Sequence, residues 1–408
     1  MNFLKKKNTL ILALILSGLG AGLMLGEKIS PFSFLSLKKT PDIPLDANFL
    51  ELAKYFQDLS DQKGARAAYE VLESAKLPPN IDLHLLGHVI GDTLYKQEGA
   101  KGIRVCSQNF RNACSHSIVI GLLLEKGEAA LAEIANACRK APGGSGAYTM
   151  CFHGLGHGVL AYNEYELPRA IDFCKKVGTP EFQFQEFKQC VGGTIMEMIA
   201  GVHDRAIWLE KSEKYFKKDD PLYPCTSSFM PKETLFWCYL YLTPHLFELG
   251  GANLGLPTEK NFKIAFPFCG ALPDTLKAER DACYGGFGKE FVVLAKDRDV
   301  RKIDEMSDAE LEKVYSWCKL ADNKEGTGAC ILHAMQSLYW GGENNRGVAI
   351  RFCRNMNDET YNRSTCFFHL IGVVNQYVSD QSYRQEFCSE IPEEYRFDCN
   401  NRLISPSK

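Results

Sequence analysis

Five of the nine histidines fall between positions 84 and 157, and their spacing is typical of metal ligands on helices. Two pairs stand four residues apart, in HLLGH and in HGLGH, and residues four apart share one face of a helix. Imidazole is a good ligand for zinc, copper, nickel and iron. The sequence therefore predicts a candidate transition-metal site that contains His84, His88, His116, His153 and His157. The alternative interpretation is that these histidines hydrogen-bond to loop backbone and recur because a unit was duplicated.

The histidines recur in register with a longer repeat. His116 and His153 each lie two residues after a cysteine, and alignment of the repeats puts His84 at the equivalent position of the preceding unit. Equivalent positions of stacked repeats line one face of an array. In the later units glycine, leucine or phenylalanine takes this position, so we do not expect one function for all nine histidines. Glu164 and Glu166 could supply carboxylates, but two solvated charges are the favoured interpretation.

Motifs that would name a reaction are missing from the sequence. It contains no H-E-x-x-H, no P-loop and no G-x-S-x-G, and its GGFG at 285–288 follows a cysteine rather than a strand. The net charge is −3, and no basic stripe with interleaved aromatic residues stands out, so nucleic acid is not an expected partner. We expect a binding protein rather than an enzyme.

The chain contains sixteen cysteines, an even number, and none of them forms a C-x-x-C pair. Structural zinc sites favour closely spaced thiolates, whereas a regular series of paired cysteines indicates disulfides in an oxidising compartment. The predicted bridges join neighbours in the sequence: Cys106–Cys114, Cys138–Cys151, Cys174–Cys190, Cys225–Cys238, Cys269–Cys283, Cys318–Cys330, Cys353–Cys366 and Cys388–Cys399.

The N-terminus has the composition of a membrane-targeting segment. Three lysines at positions 5–7 precede an apolar run from Leu10 to Leu25, and positive charge before such a run sends the following chain across the membrane. We expect residues 1–26 to be an uncleaved signal anchor, with a cleaved signal peptide as the alternative. Residues 27–45 contain three prolines and are interpreted as a linker. The remainder is then extracytoplasmic, either membrane-anchored or secreted.

Residues 46–408 repeat one pattern along their length. Each unit consists of an apolar helix, a cysteine, a polar loop, a second cysteine and an apolar helix that contains glycine. The second cysteines are 33 to 48 residues apart, the length of one helical hairpin in an α-solenoid. No alternating strand pattern appears, so the predicted fold is an all-α solenoid of disulfide-stapled hairpins. Since glycine costs a helix nearly 1 kcal/mol relative to alanine, the glycines after the second cysteines predict close helix packing.

The segment from Cys106 to Cys138 resembles the cysteine-rich, secreted Sel1-like repeats. It has a seven-residue gap between Cys106 and Cys114, a glycine after the first helix, and Ala129 and Ala132 in a closing helix that ends in Cys138. The resemblance extends over about residues 100–175. It implies a helical repeat architecture and an interaction scaffold rather than an enzyme.

Two functions follow from these patterns. The first expectation is an extracytoplasmic, membrane-tethered scaffold that binds a protein or an envelope polymer through its concave face. The second is a metal- or haem-binding protein, which could be an enzyme, that uses the histidines of the N-terminal repeats. The scaffold function requires no bound ion, whereas the metal-binding function requires the five histidine rings to converge.

Overall fold

The fold is all-α, as the sequence predicts. A computed structural model describes residue 43 and residues 46–252, 256–321, 323–341, 346–356 and 361–404. These residues contain no β-strand, and one isolated bridge joins Lys217 to Asp220. All described helices belong to the unit that spans Asp42–Lys408. The predicted signal segment at 1–26 lies outside the described residues, as does nearly all of the predicted linker.

Nineteen α-helices occupy the described part of the chain, and several short 3₁₀ turns connect them. In chain order they are α1 (Phe49–Lys63), α2 (Ala65–Ser74), α3 (Leu83–Glu98), α4 (Ala113–Lys126), α5 (Leu131–Cys138), α6 (Gly144–Tyr162), α7 (Leu167–Cys174), α8 (Gln185–Ala200), α9 (Arg205–Lys211), α10 (Leu235–Tyr241), α11 (Thr243–Leu249), α12 (Glu259–Gly270), α13 (Lys277–Ala295), α14 (Asp308–Cys318), α15 (Lys324–Gly341), α16 (Arg346–Arg354), α17 (Arg363–Tyr377), α18 (Gln381–Glu390) and α19 (Glu393–Leu403).

Side chains at the helix starts explain several of these boundaries. The first backbone N–H groups of a helix have no partner within the helix, and Asn, Asp or Ser side chains can accept their hydrogen bonds. Asn48 accepts from the amide of Glu51, whose carboxylate accepts from the amide of Asn48. Asp82, the residue before α3, accepts from the amide of Leu85.

All eight predicted disulfides are present, and no described cysteine is free. Their Cα atoms are 5.4 to 5.7 Å apart. Most bridges join the end of one helix to the first part of the next, as when Cys138 at the end of α5 is bound to Cys151 in α6. Such a number of bridges indicates an oxidising environment, extracytoplasmic or secreted.

Glycines allow successive long helices to touch through their backbones. A Cβ atom at Gly156 of α6 would overlap the carbonyl oxygen of Cys190 in α8, and one at Gly193 of α8 would overlap the carbonyl oxygen of His153. The same contact recurs between α13 and α15, where Gly288 faces the carbonyl oxygen of Cys330. The predicted role of these glycines is confirmed.

Some contacts join parts of the chain that are far apart in sequence. The Arg301 guanidinium donates to the carbonyl oxygens of Leu72 and Ala75 at 2.8 and 2.7 Å, and the Ser145 hydroxyl donates to that of Tyr377 at 2.8 Å. In a linear solenoid each repeat contacts only its neighbours. These hydrogen bonds add contacts between distant repeats, and the solenoid arrangement itself stays a prediction.

None of the helices in the described ranges is long and apolar enough to cross a membrane. The predicted anchor lies outside the described residues, so membrane attachment stays a prediction.

The glycine contacts predict a position-specific effect of alanine. Gly156→Ala puts a methyl group against the Cys190 carbonyl oxygen, and the resulting overpacking should lower the free energy of unfolding by about 1–3 kcal/mol or more. Gly328→Ala is the matched control, because the nearest atom to its new methyl group is Tyr361 Cδ2 at 3.6 Å. Gly328 lies inside α15, so alanine there should leave stability unchanged or raise it. Denaturant unfolding of both variants measures the effect, and equal stabilities would contradict the backbone-contact account.

Candidate metal centre

Six imidazole rings from four successive segments of the chain meet in one buried cluster. His84 and His88 project from α3, His116 from α4, and His153 and His157 from α6. Neighbouring ring centroids are 4.8 to 6.2 Å apart, from the His84–His88 pair to the His88–His157 pair. All five histidines singled out in the sequence therefore lie together. We call these five rings and His203 the histidine cluster.

His203 is the sixth ring, and sequence reasoning missed it. It lies beyond the end of α8, which stops at Gly201 in a left-handed conformation (φ 58°). Its ring centroid is 5.6 Å from that of His88 and 6.0 Å from that of His157. His203 occupies no repeat position and follows no cysteine closely. The only signal in the sequence was its place two residues after Gly201, the glycine that ends α8.

Glu197 of α8 anchors one side of the cluster and was also missed. Its Oε2 atom accepts hydrogen bonds from His203 Nδ1 at 2.8 Å and from His157 Nδ1 at 3.2 Å. Its Oε1 atom accepts from the Tyr165 hydroxyl at 2.6 Å and from the His203 amide at 3.0 Å. Burial raises the pKa of this carboxyl, but the two histidines outweigh burial and lower it overall. Glu197 is therefore an ionised group that holds two rings.

A hydrogen bond at Nδ1 determines which nitrogen of His84 carries the proton. His84 Nδ1 lies 2.7 Å from the carbonyl oxygen of Phe110, which can only accept, so His84 Nδ1 donates. His84 Nε2 therefore presents a lone pair, 3.3 Å from His88 Nε2. The Ser117 hydroxyl lies 3.0 Å from the carbonyl oxygen of His88 and 3.1 Å from His88 Nδ1, and it also hydrogen-bonds to the Asp92 carboxylate.

The same logic applies to His157, since its Nδ1 donates to the Glu197 carboxylate. Its Nε2 atom therefore also carries a lone pair, and it lies 3.4 Å from His153 Nε2. His153 Nε2 is in turn 3.1 Å from the sulfur of Met196. His153 Nδ1 has no hydrogen-bond partner, so a proton on His153 Nε2 can donate to the His157 lone pair.

His116 lies at the centre of the cluster, and neither of its ring nitrogens has a well-aligned hydrogen bond. The backbone of Met150 interacts with the ring as a hydrogen-bond partner and opposes the lowering of its pKa by burial. Its ring packs against the backbone of Gly154, where a side chain would overlap it. With other rings on both sides, His116 is a candidate ligand.

Two groups of side chains within the described residues could each hold a metal ion: His84, His88 and His116, and His157, Glu197 and His203. Within each group the candidate ligand atoms lie within 4.8 Å of one another. Zinc–imidazole bonds are about 2.0–2.1 Å long, so two rings at tetrahedral positions on one ion have centroids roughly 5.2 Å apart. The His84–His88 pair, at 4.8 Å, is close to this value, whereas the His88–His116 and His157–His203 pairs, at 5.7 and 6.0 Å, would have to move slightly closer to share an ion. The second group also fits an arrangement in which Glu197 orients the two rings from the outer shell, as carboxylates do at many metal sites.

Burial keeps the rings of α3, α4 and α6 neutral near pH 7. It lowers the pKa of His84 to about 4, and it lowers the pKa values of His88, His116 and His153, with repulsion from neighbouring rings as a further cause. Neutral imidazole is the form that binds metal. His203 differs, because the Glu197 carboxylate outweighs burial and raises its pKa.

The other candidate residues lie elsewhere. Glu164 is exposed, and Glu166 pairs with Lys214 at 2.7 Å, in agreement with the interpretation of both as solvated charges. The remaining histidines, His245, His333 and His369, are outside the cluster: His245 packs against Phe216, His333 against Phe236, and His369 against Tyr361.

Comparison of the chain with protein-family models, with curated proteins and with solved structures found no match. The Sel1-like resemblance therefore stays a prediction. The function has to be argued from the geometry of the histidine cluster.

The buried histidines predict that acid destabilises the metal-free protein well above the titration range of carboxylates. Burial lowers the pKa of both His245 and His333 to about 4, whereas histidine in an unfolded chain titrates near pH 6.5. Below pH 6.5 the unfolded chain binds more protons, so the free energy of unfolding falls by about 1–2 kcal/mol per such histidine between pH 7.5 and pH 5. Urea unfolding after chelation measures the fall, and His333→Gln should reduce it. Identical pH dependence in the variant would contradict the assignment.

Proposed function

We propose that this protein binds transition-metal ions in the histidine cluster. The observation that carries the proposal is the convergence of His84, His88 and His116, whose candidate ligand atoms lie within 4.8 Å of one another. The Nε2 lone pair of His84 points into this group while its Nδ1 atom donates to the Phe110 carbonyl oxygen. Burial lowers the pKa values of these rings, so they are neutral, and neutral imidazole suits a metal ion.

The hydrogen bonds around the rings support the same function. Metal-bound histidines commonly donate their other ring N–H to a carbonyl oxygen, a hydroxyl or a carboxylate, which fixes the ring orientation. Here the partners are the Phe110 carbonyl oxygen, Ser117 and Glu197. The Phe110 contact is also the kind of loop-backbone hydrogen bond that the alternative interpretation expects, whereas Ser117 and Glu197 are side-chain partners.

The ligand types favour a borderline or soft ion. Imidazole suits zinc, copper, nickel and iron, and thioether sulfur suits copper(I). The Met196 sulfur beside His153 Nε2 therefore favours copper among these metals. The two groups of candidate ligands predict two ions per chain.

Haem is a less suitable occupant than single ions. The rings of His88, His116 and His157 lie within 5.7 to 6.2 Å of one another, centroid to centroid. These separations leave no gap for a porphyrin between the rings. Of the two cofactor types expected from the sequence, the metal ion is the one that we propose.

The scaffold function stays a prediction. The large hydrophobic side chains most exposed on the described surface, Leu50, Leu209 and Phe397, are far apart in the sequence. Single exposed apolar residues are normal on soluble proteins and indicate no partner. No feature of the described surface favours a particular protein or envelope polymer, so the metal function is better supported.

We also propose that the N-terminal segment holds the protein at the outer face of a membrane. The support is the charge pattern of Lys5, Lys6 and Lys7 before an apolar run and the disulfides of the remaining chain, which form outside the cytoplasm. The metal site would then face the extracytoplasmic side.

Metal analysis of the untagged protein tests the proposed function. We expect about two equivalents of copper, zinc, nickel or iron per chain by mass spectrometry, and saturable rebinding of copper and zinc after chelation. His88→Gln should lower the metal content by about one equivalent, because it removes one of the three candidate ligands of the first group. His333→Gln is the matched control, since His333 is a buried imidazole with a lowered pKa outside the cluster. Absence of bound and rebound metal would refute the proposal.

A reporter fusion tests the location. An enzyme that is active only in the cytoplasm, attached after Lys408, should be silent, because the lysines before Leu10 direct the following chain across the membrane. A fusion from which residues 1–26 have been deleted is the control and should be active. An active full-length fusion would contradict the proposed topology.

A further inference from the structure

We infer that the metal centre takes a small oxyanion, a carboxylate or a phosphate group, between the histidine cluster and the side chains of Arg111 and Lys289. The inference rests on the proposed metal function. It extends that function by assigning the chemical class of the ligand that approaches the ions.

Lys289 is connected to the cluster through one aromatic ring. The Tyr241 ring of α10 lies 4.5 Å from the ring of His153, centroid to centroid. The Lys289 ammonium of α13 lies 5.2 Å from the centroid of the same Tyr241 ring. The ammonium is thus one ring away from a candidate ligand, and its positive charge contributes to lowering the His153 pKa.

Arg111 approaches the cluster from another side. It directly follows Phe110, whose carbonyl oxygen orients His84. Its Nη2 atom donates to the Lys289 carbonyl oxygen and to the Ser337 hydroxyl, both at 3.0 Å. These neutral acceptors hold one guanidinium nitrogen beside Lys289, and the rest of the fork stays available for a ligand.

Two cations share few carboxylates here. Lys289 pairs with Glu290, whereas the described residues include no carboxylate at ion-pair distance from the Arg111 guanidinium. Glu290 and Asp82 raise the Arg111 pKa only through space. A buried charge is costly unless it is paired. Burial lowers the pKa values of both cations, which is the expected sign of this cost. An anion beside Arg111 would offset it.

The metal ions increase the need for an anion. The rings of α3, α4 and α6 are neutral ligands, and two carboxylates act on the cluster: Glu197, which hydrogen-bonds to His157 and His203, and Asp92, which helps to raise the His203 pKa. Two divalent ions would therefore leave a large positive charge next to Arg111 and Lys289. An oxyanion matches this field, since one oxygen can bind the metal while two oxygens accept from the guanidinium fork.

The backbone around Arg111 is shaped for this position. Phe110, Arg111 and Asn112 have φ values of 60°, 51° and 64°, the longest run of left-handed non-glycine residues in the described chain. Each such residue carries a conformational cost that surrounding contacts must offset. The run directs the Phe110 carbonyl oxygen to His84 and the Arg111 side chain to α13 and α15. Lys289 and Glu290 keep 14% and 17% of their side-chain surface exposed, so a small ligand can reach this edge from solvent.

The test is an anion titration of the full chain loaded with cobalt(II), followed through its visible absorption bands. Acetate and inorganic phosphate are the two probes, and they distinguish a carboxylate ligand from a phosphate ligand. We expect saturable spectral changes with at least one probe. Arg111→Gln and Lys289→Gln should each lower the affinity for that probe about tenfold or more, and both should leave the cobalt content unchanged.

Two further variants complete the design. Arg280→Gln is the matched control, since Arg280 is about as buried as Lys289 but pairs with Asp274 and Glu325 away from the cluster. Arg111→Lys keeps the charge and should retain more affinity than Arg111→Gln, which separates charge from folding effects. The anion inference would be overturned if both glutamine variants bound the probe with wild-type affinity, or if neither probe gave a saturable change. As long as the protein binds cobalt, these results would leave the metal proposal intact. Failure of wild type to bind cobalt, copper or zinc would instead refute the metal proposal itself.

Discussion

Direct backbone contact between successive long helices is the constraint on which the histidine cluster depends. A side chain at Gly154 would overlap the His116 ring, and one at Gly193 would overlap the carbonyl oxygen of His153. The glycines thus let α4, α6 and α8 approach closely enough for rings on neighbouring helices to touch. Disulfides tie each of these helices to the segment that precedes it in the chain, as Cys138–Cys151 ties α6 to α5. Glycine lowers the stability of each helix by itself, but the close packing that it allows brings the candidate ligand atoms together.

The electrostatics of the cluster follow from this packing. Rings buried between helices lose contact with water, so their pKa values fall and they stay neutral. Neutral rings need fixed hydrogen bonds at one nitrogen to present the other. Phe110, Ser117 and Glu197 supply those hydrogen bonds. Buried ring nitrogens would destabilise an ordinary hydrophobic core. In the histidine cluster they suit a metal ion, because its positive charge compensates their lone pairs.

Most of the fold could be predicted, whereas only part of the candidate site could. The spacing of the cysteines predicted all eight bridges, because each pair closes one short loop. The i,i+4 histidine pairs and the repeat register predicted five rings of the cluster. His203 and Glu197 could not be predicted, because neither occupies a repeat position and the turn at Gly201 brings His203 back to the cluster. The contact of Arg111 with Lys289, 178 positions away in the chain, was equally outside the reach of local patterns.

The sequence by itself determined the helical class, the disulfide pairing, the oxidising environment that the disulfides indicate and the histidines that share a helix face. These properties depend on local spacing, since a helix turn and a short loop connect residues that are near in sequence. Only the tertiary structure decided that the pairs from α3 and α6 meet, that Glu197 orients His157 and His203, and that α13 adds Lys289 beside them. Those contacts depend on how far apart helices lie and how they are rotated, which is set by packing across the whole unit rather than by any one segment.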